Sequence, residues 1–106
     1  MTVDALVDTG NQLYEPMTGK PVCLVEYEVA KKYLSPDLMN LKTSPIPYRT
    51  IGKNDGLLWG VTVDKMIFQN NRRKITRSGC IIALFDGKIS KSGEYSAIVH
   101  PDILEK

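Results

Sequence analysis

The chain contains a single histidine, His100, which leaves no material for a histidine-built metal centre. Its two cysteines, Cys23 and Cys80, are too few for a disulfide framework, and their spacing matches no zinc pattern. Both lie in apolar runs, where a buried, reduced thiol is expected, and a reducing compartment follows. Charge of one sign is also scarce: 14 Lys and Arg against 12 Asp and Glu leave a formal charge of +2, too little for a nucleic-acid partner. No stretch approaches the ~20 apolar residues that span a bilayer, and no charged segment followed by an apolar one opens the chain, so this piece is expected to be soluble. The 106 residues suffice for one core and not for two lobes, so residues 1–106 are expected to form a single domain.

What is present is mostly strand signal. Ala5-Leu6-Val7 ends abruptly in Asp8-Thr9-Gly10-Asn11, a strand feeding a turn. Tyr14 to Gly19, with Pro16, reads as a hairpin loop before a strand over Pro21 to Glu26. The spacing of Val29, Tyr33 and Leu34 suits one or two helical turns stopped by Ser35-Pro36, and Thr43 to Pro47 reads as a proline-punctuated connection. Leu57 to Phe68 alternates: Leu57, Trp59, Val61, Val63 and Ile67 fall on one face, with Gly60, Thr62 and Asp64 on the other. Tyr48 to Ile51 pairs with it across Gly52 to Gly56. A polar turn at Asn70 to Lys74 precedes strands over 74–77 and 80–85, and Asp86-Gly87 marks a turn. A last strand over Tyr95 to Val99 ends at His100-Pro101, where proline opens a short helix through Leu104. About seven short strands with one or two helical turns predict an all-β fold, a closed barrel or sandwich-like domain.

An acid at a strand end followed by a hydroxyl residue and a glycine is what an aspartic hydrolase needs. The Asp8 carboxylate protrudes, Thr9 ties the turn down, and Gly10 allows close backbone approach. The chemistry requires two carboxylates sharing one proton, since like charges about 3 Å apart cannot both ionise. The same tripeptide also serves as a plain Asx-type turn after a strand. His100 reads as a structural or capping residue, Trp59 as core before substrate platform, and Asp55 and Asp86 as turn residues. Arg72-Arg73-Lys74 with Arg77 reads as a solvated turn that in a membrane-tethered parent would touch anionic headgroups.

The stretch Ala5 to Gly10 resembles the catalytic strand and turn of retroviral-type aspartic proteases. Ile46 to Phe68 resembles their flap hairpin, Cys80 to Phe85 the next core strand, and Ser96 to Leu104 the segment leading into their short helix. Closer still, Leu6-Val7-Asp8-Thr9-Gly10-Asn11-Gln12-Leu13 with Pro16 to Val22, Ile46 to Gly52 and Ala97 to Leu104 is similar to the peptidases that process the precursor of sporulation sigma factor E. That resemblance covers nearly the whole chain. It implies a retropepsin-like β-barrel with a flap, no cofactor or metal, and Asp8, Thr9 and Gly10 as catalytic turn. Substrate would be gripped by Tyr48, Thr50, Ile51, Gly52, Gly56, Leu57 and Trp59 of the flap.

It also implies an upstream multi-spanning membrane domain, with this domain on the cytoplasmic side of the sporulation septum, and an activator protein from the forespore. The substrate would be the pro-segment of a sigma factor. No second Asp-Thr-Gly or Asp-Ser-Gly is present, so the second carboxylate is expected from another copy. The retroviral-type glycine is His100 here and the usual alanine is Asn11, so a differently built floor of the site is expected. The terminal strands that hold retroviral-type dimers together look abbreviated, so the isolated chain is expected to be monomeric or weakly dimeric. A non-catalytic domain that grips a partner's strand through the flap is the alternative, as is a structural domain in which Asp8 only closes a turn.

Overall fold

The structure is a computed structural model that describes residues 2–8, 10, 13–35, 43–48 and 56–105. Among the described residues, six strands make one curled sheet, an open half-barrel, with two single-turn helices. In chain order these are β1 (Ala5–Val7), β2 (Val22–Glu26), α1 (Tyr27–Ala30), β3 (Thr43–Tyr48), β4 (Gly56–Gln69), β5 (Lys74–Phe85), β6 (Ala97–Val99) and α2 (Pro101–Leu104). The strand order is β1-β6-β2-β5-β4-β3. The pairs β1/β6 and β2/β5 are parallel, and the remaining neighbours are antiparallel. The all-β class expected from the sequence is the one observed.

Side-chain alternation sorts the interior into two clusters, one on each face of the sheet. Cys23, Val25, Val61, Val63, Cys80, Ile82, Ala97, Val99, Ala30 and Ile103 form the larger, closed off by α1 and α2. Val22, Ile46, Leu58, Ile81 and Ala83 form the smaller, on the opposite face. The face of β4 that reads as polar in the sequence is therefore covered at Leu58 and Gly60. Gly60 is the consequence of that covering, since a Cβ there would lie 2.8 Å from Ile46 Cγ1 and 3.2 Å from Ile81 Cγ2.

Two other expectations need correction. The proline-punctuated stretch is a strand: among the described residues β3 is the last of the sheet, and Pro45 and Pro47, which have no N–H to give, are tolerated on such an edge. Between them Ile46 is fully buried opposite Leu58. The strict alternation along β4 also lapses. Pairing is interrupted between Val63↔Cys80 and Lys65↔Ser78, where Gly79 takes a φ of +64°. Beyond that point the even-numbered Met66 and Phe68 turn toward the core, and Ile67 is left exposed. The same glycine lets β5 run unbroken where the sequence suggests two strands.

Turns and ends follow their local chemistry. Asn70 Oδ1 accepts from the N–H groups of Arg72 and Arg73, both at 2.8 Å, which closes the β4–β5 turn. The loop after Tyr14 is held by buried Glu15, whose carboxylate accepts from Met17 N, Thr18 N and Thr18 Oγ1. Those donors hold Glu15 below its ordinary pKa against the opposing pull of burial. The expected short terminal helix is present as α2, with Pro101 in its first turn.

Candidate active site

β1 is an edge strand, and its three residues are all exposed, Leu6 at 41% and Val7 at 50%. Asp8 follows it directly. Its N–H donates to Val99 O at 3.3 Å, continuing the β1/β6 ladder by one rung past Val7↔Val99. The side chain folds back, and Oδ1 accepts from Gly10 N–H at 2.9 Å. A Cβ at residue 10 would stand 3.2 Å from that oxygen, which is why a glycine suits the position. Asp8 is half-buried, so its carboxyl is neither sealed in the interior nor free to swing in bulk water. Thr9 lies outside the described residues.

Of the residues expected to grip substrate, Tyr48 and Gly56 form the outermost rung of the β3–β4 hairpin and Leu57 pairs with Pro47. Trp59 pairs with Pro45 on one side and Leu84 on the other. It is 55% exposed, which corrects its reading as core: the residue shares the face of Val61 and Val63 but lies beyond the side chains that cover them. Thr50, Ile51 and Gly52 fall outside the described residues. In strand order Asp8 and this hairpin occupy the two ends of the sheet. A cleft of about 250 Å³ between β5 and α2, lined by Lys20, Arg77 and Asp102 among others, does not include Asp8.

Sequence reasoning placed His100 at a helix start and missed what surrounds it. His100 is 2% exposed, and its Nδ1 accepts from Asp102 N–H at 3.1 Å, capping α2. Tyr14 stands edge-on to the imidazole, with ring centroids 4.7 Å apart, and its hydroxyl donates to Asp102 Oδ2 at 2.7 Å. That bond, with burial and the Asp102 charge, raises the phenol above its usual pKa. Burial pushes His100 below its ordinary value, and Asp102 pulls partly back. Nε2 is buried with no hydrogen-bond partner among the described residues, at a typical cost of about 1–3 kcal/mol for such a group. The signal in the sequence was the spacing His100-Pro101-Asp102, with Tyr14 six residues after Asp8.

The thiols belong to the core. Burial lifts Cys23 to about 11, opposed by a hydrogen bond from the His100 backbone and assisted by Cys80, and burial lifts Cys80 as well. Both are free. Among the described residues no group of three or more His, Cys, Asp or Glu is arranged to hold a metal ion, and no helix is long and apolar enough to cross a membrane.

A family profile described as Sporulation factor SpoIIGA, Peptidase U4, matches residues 1–103. The chain belongs to this peptidase family. Among curated relatives, the sporulation sigma-E factor-processing peptidase of Bacillus subtilis (strain 168) is 28% identical over 123 residues, which cover 96% of this chain and 40% of that protein. The corresponding peptidase of Priestia megaterium is 26% identical over 125 residues, 98% of this chain and 40% of its own. A candidate sporulation sigma factor-processing peptidase of Bacillus thuringiensis subsp. kurstaki is 29% identical over 118 residues, 93% of this chain and 73% of its own. The chain thus spans about two fifths of the length of two of these relatives. No solved structure matches it at comparable significance. The family resemblance read from Leu6 to Leu13 and Pro16 to Val22 is thereby established for the chain as a whole.

Proposed function

We propose that residues 1–106 form the aspartic protease domain of a sporulation sigma-E factor-processing peptidase, active as a homodimer with one Asp8 from each copy. The observation that carries this reading is the placement of Asp8. It stands half-buried at the edge of the sheet, fixed by Gly10 N–H and Val99 O, which supports a role at a site shared with a second copy. Two such carboxyls about 3 Å apart titrate as a pair sharing one proton. The ionised one takes a proton from water as that water attacks the peptide carbonyl, and the protonated one gives its proton to the carbonyl oxygen. Thr9 fixes the turn, while Tyr48, Gly56, Leu57 and Trp59, with Thr50, Ile51 and Gly52, close over an extended peptide bound through its backbone.

The substrate is the precursor of sporulation sigma factor E, the class named for the curated relatives, and the product is the factor shortened by its pro-segment. An upstream membrane domain and a forespore activator protein complete the proposed setting, with this domain facing the cytoplasm. Co-expression of the full protein with the precursor tests the substrate. Adding hydroxylamine to the purified reaction tests the mechanism, because water activation leaves only a free carboxylate at the cut, whereas a hydroxamate product would mean a covalent acyl-enzyme and end the aspartic reading.

The exposure of Trp59 gives a second check. Replacing it by Ala removes an aromatic surface worth about 0.5–1.5 kcal/mol, so KM should rise about two- to twelvefold by the same conversion. Because the ring packs little of the core, unfolding free energy should move by no more than about 0.5 kcal/mol. A stability loss of several kcal/mol with KM unchanged would return Trp59 to the interior.

A further inference from the structure

We propose that His100 is a positioning residue for Asp8, holding the candidate catalytic turn only while its imidazole is neutral with the proton on Nε2. The inference rests on the reading of Asp8 given above. His100 directly follows Val99, whose carbonyl receives the Asp8 N–H, so the two residues stand next to each other across the parallel β1/β6 pair. Whatever moves the Val99–His100 peptide moves the anchor of Asp8. That peptide is held from both sides: the His100 N–H reaches Cys23 in β2, and the His100 side chain caps α2.

Capping alone does not call for this residue. Helix starts favour Ser, Thr, Asp and Asn, whose short side chains reach the helix N–H groups without an imidazole's bulk. Histidine caps with Nδ1 and leaves Nε2 buried without a partner among the described residues. Because Nδ1 accepts the Asp102 N–H, the single proton of the neutral ring must sit on Nε2. A second proton has only Nδ1 to occupy, and there it meets another donor head-on.

Protonation therefore breaks the cap, and the structure holds the alternative arrangement ready. The Asp102 carboxylate now accepts from the Tyr14 hydroxyl at 2.7 Å, and its charge favours a protonated imidazole. In the acid form Asp102 exchanges Tyr14 for His100, the first turn of α2 shifts, and the Val99 carbonyl is carried with it. Tyr14 faces the ring from the hairpin loop and Asp102 from α2, while Cys23 in β2 meets the His100 backbone and the Asp8 N–H meets the neighbouring Val99 carbonyl. Glu15 is committed to Met17 and Thr18, and Arg77 holds α2 from its other end through Ile103 O and Glu105 O.

Burial lowers the His100 pKa, so the neutral ring prevails at pH 7. The folded-state value lies below the unfolded one. The stabilisation is therefore complete above about 6.5 and is lost as pH falls through the folded value. An aspartyl dyad of this design should then fail on the acid side, where a shared-proton carboxylate pair would otherwise keep working.

The test is the pH profile of precursor cleavage by the full protein, for wild type, His100→Asn and Tyr14→Phe, with Asp8→Asn as blank. Asn keeps a side-chain acceptor for the cap and does not titrate. Wild type should lose at least about tenfold in rate on the acid side, whereas His100→Asn, slower at pH 7, should show no such limb. Tyr14→Phe frees Asp102 for the imidazolium and should move the limb upward by about half a pH unit. An identical acid limb in His100→Asn, or an unmoved limb in Tyr14→Phe, overturns the proposal. If wild type cleaves at no pH, the reading of Asp8 has failed, and NMR of the full protein labelled at histidine, aspartate and glycine decides separately. Asp8 and Gly10 amide signals that follow the ring titration support positioning. Signals that stay fixed while the ring titrates, or a ring still neutral at pH 4, overturn it.

Discussion

Replacing Asp8 with Asn should leave the fold intact and lower cleavage by at least about a thousandfold, within the range that acid–base groups contribute. Asn retains an oxygen that accepts the Gly10 N–H, so the turn that now closes at 2.9 Å keeps its bond. What disappears is the ability to hold and release a proton. The variant also tests the two-copy design. Mixing equal amounts of wild type and Asp8→Asn under full exchange leaves about a quarter of dimers with two carboxyls. Activity falling to that level supports a shared dyad, while activity falling only to one half means that each copy works alone. An Asp8→Asn protein that cleaves at wild-type rate would reduce Asp8 to a turn residue.

Ile46→Ala should destabilise the domain by about 2–5 kcal/mol, the usual span for losing a buried isoleucine side chain. Ile46 is fully buried, flanked by two exposed prolines, and it fills the space that Gly60 leaves open across the hairpin. The complementary change, Gly60→Ala, places a methyl group against Ile46 and should cost about 1–3 kcal/mol through overpacking. Because the two faults are opposite, the double variant should be more stable than the sum of the singles predicts, by an amount that urea unfolding can resolve. Strict additivity would mean that the two residues do not share a cavity.

Much of this architecture is legible in the sequence because its signals are local. Asp8-Thr9-Gly10 after an apolar run, Asn70 before a basic turn and Pro101 at a helix start each act within a few residues. The misreadings share a different cause. Pro45 and Pro47 look like a linker until it is known that their strand has only one neighbour, which is a property of the whole sheet. Trp59 shares a face with buried valines, and alternation identifies the face without telling how far the covering extends. Ile67 is exposed because Gly79, on the opposite strand, switches the face, and no reading of β4 alone contains that information. The surroundings of His100 join residues 14, 23, 100 and 102, separated by most of the chain, and only folding brings them together.

The two margins of the sheet are not equivalent. Along β3, prolines remove donors that an incoming chain would need, so growth by strand addition is blocked there. Along β1 no proline intervenes, and the apolar side chains beside Asp8 stand uncovered. Any pairing of copies by strand addition would therefore have to use the β1 flank alone, and contact through a single flank closes on itself rather than growing into filaments.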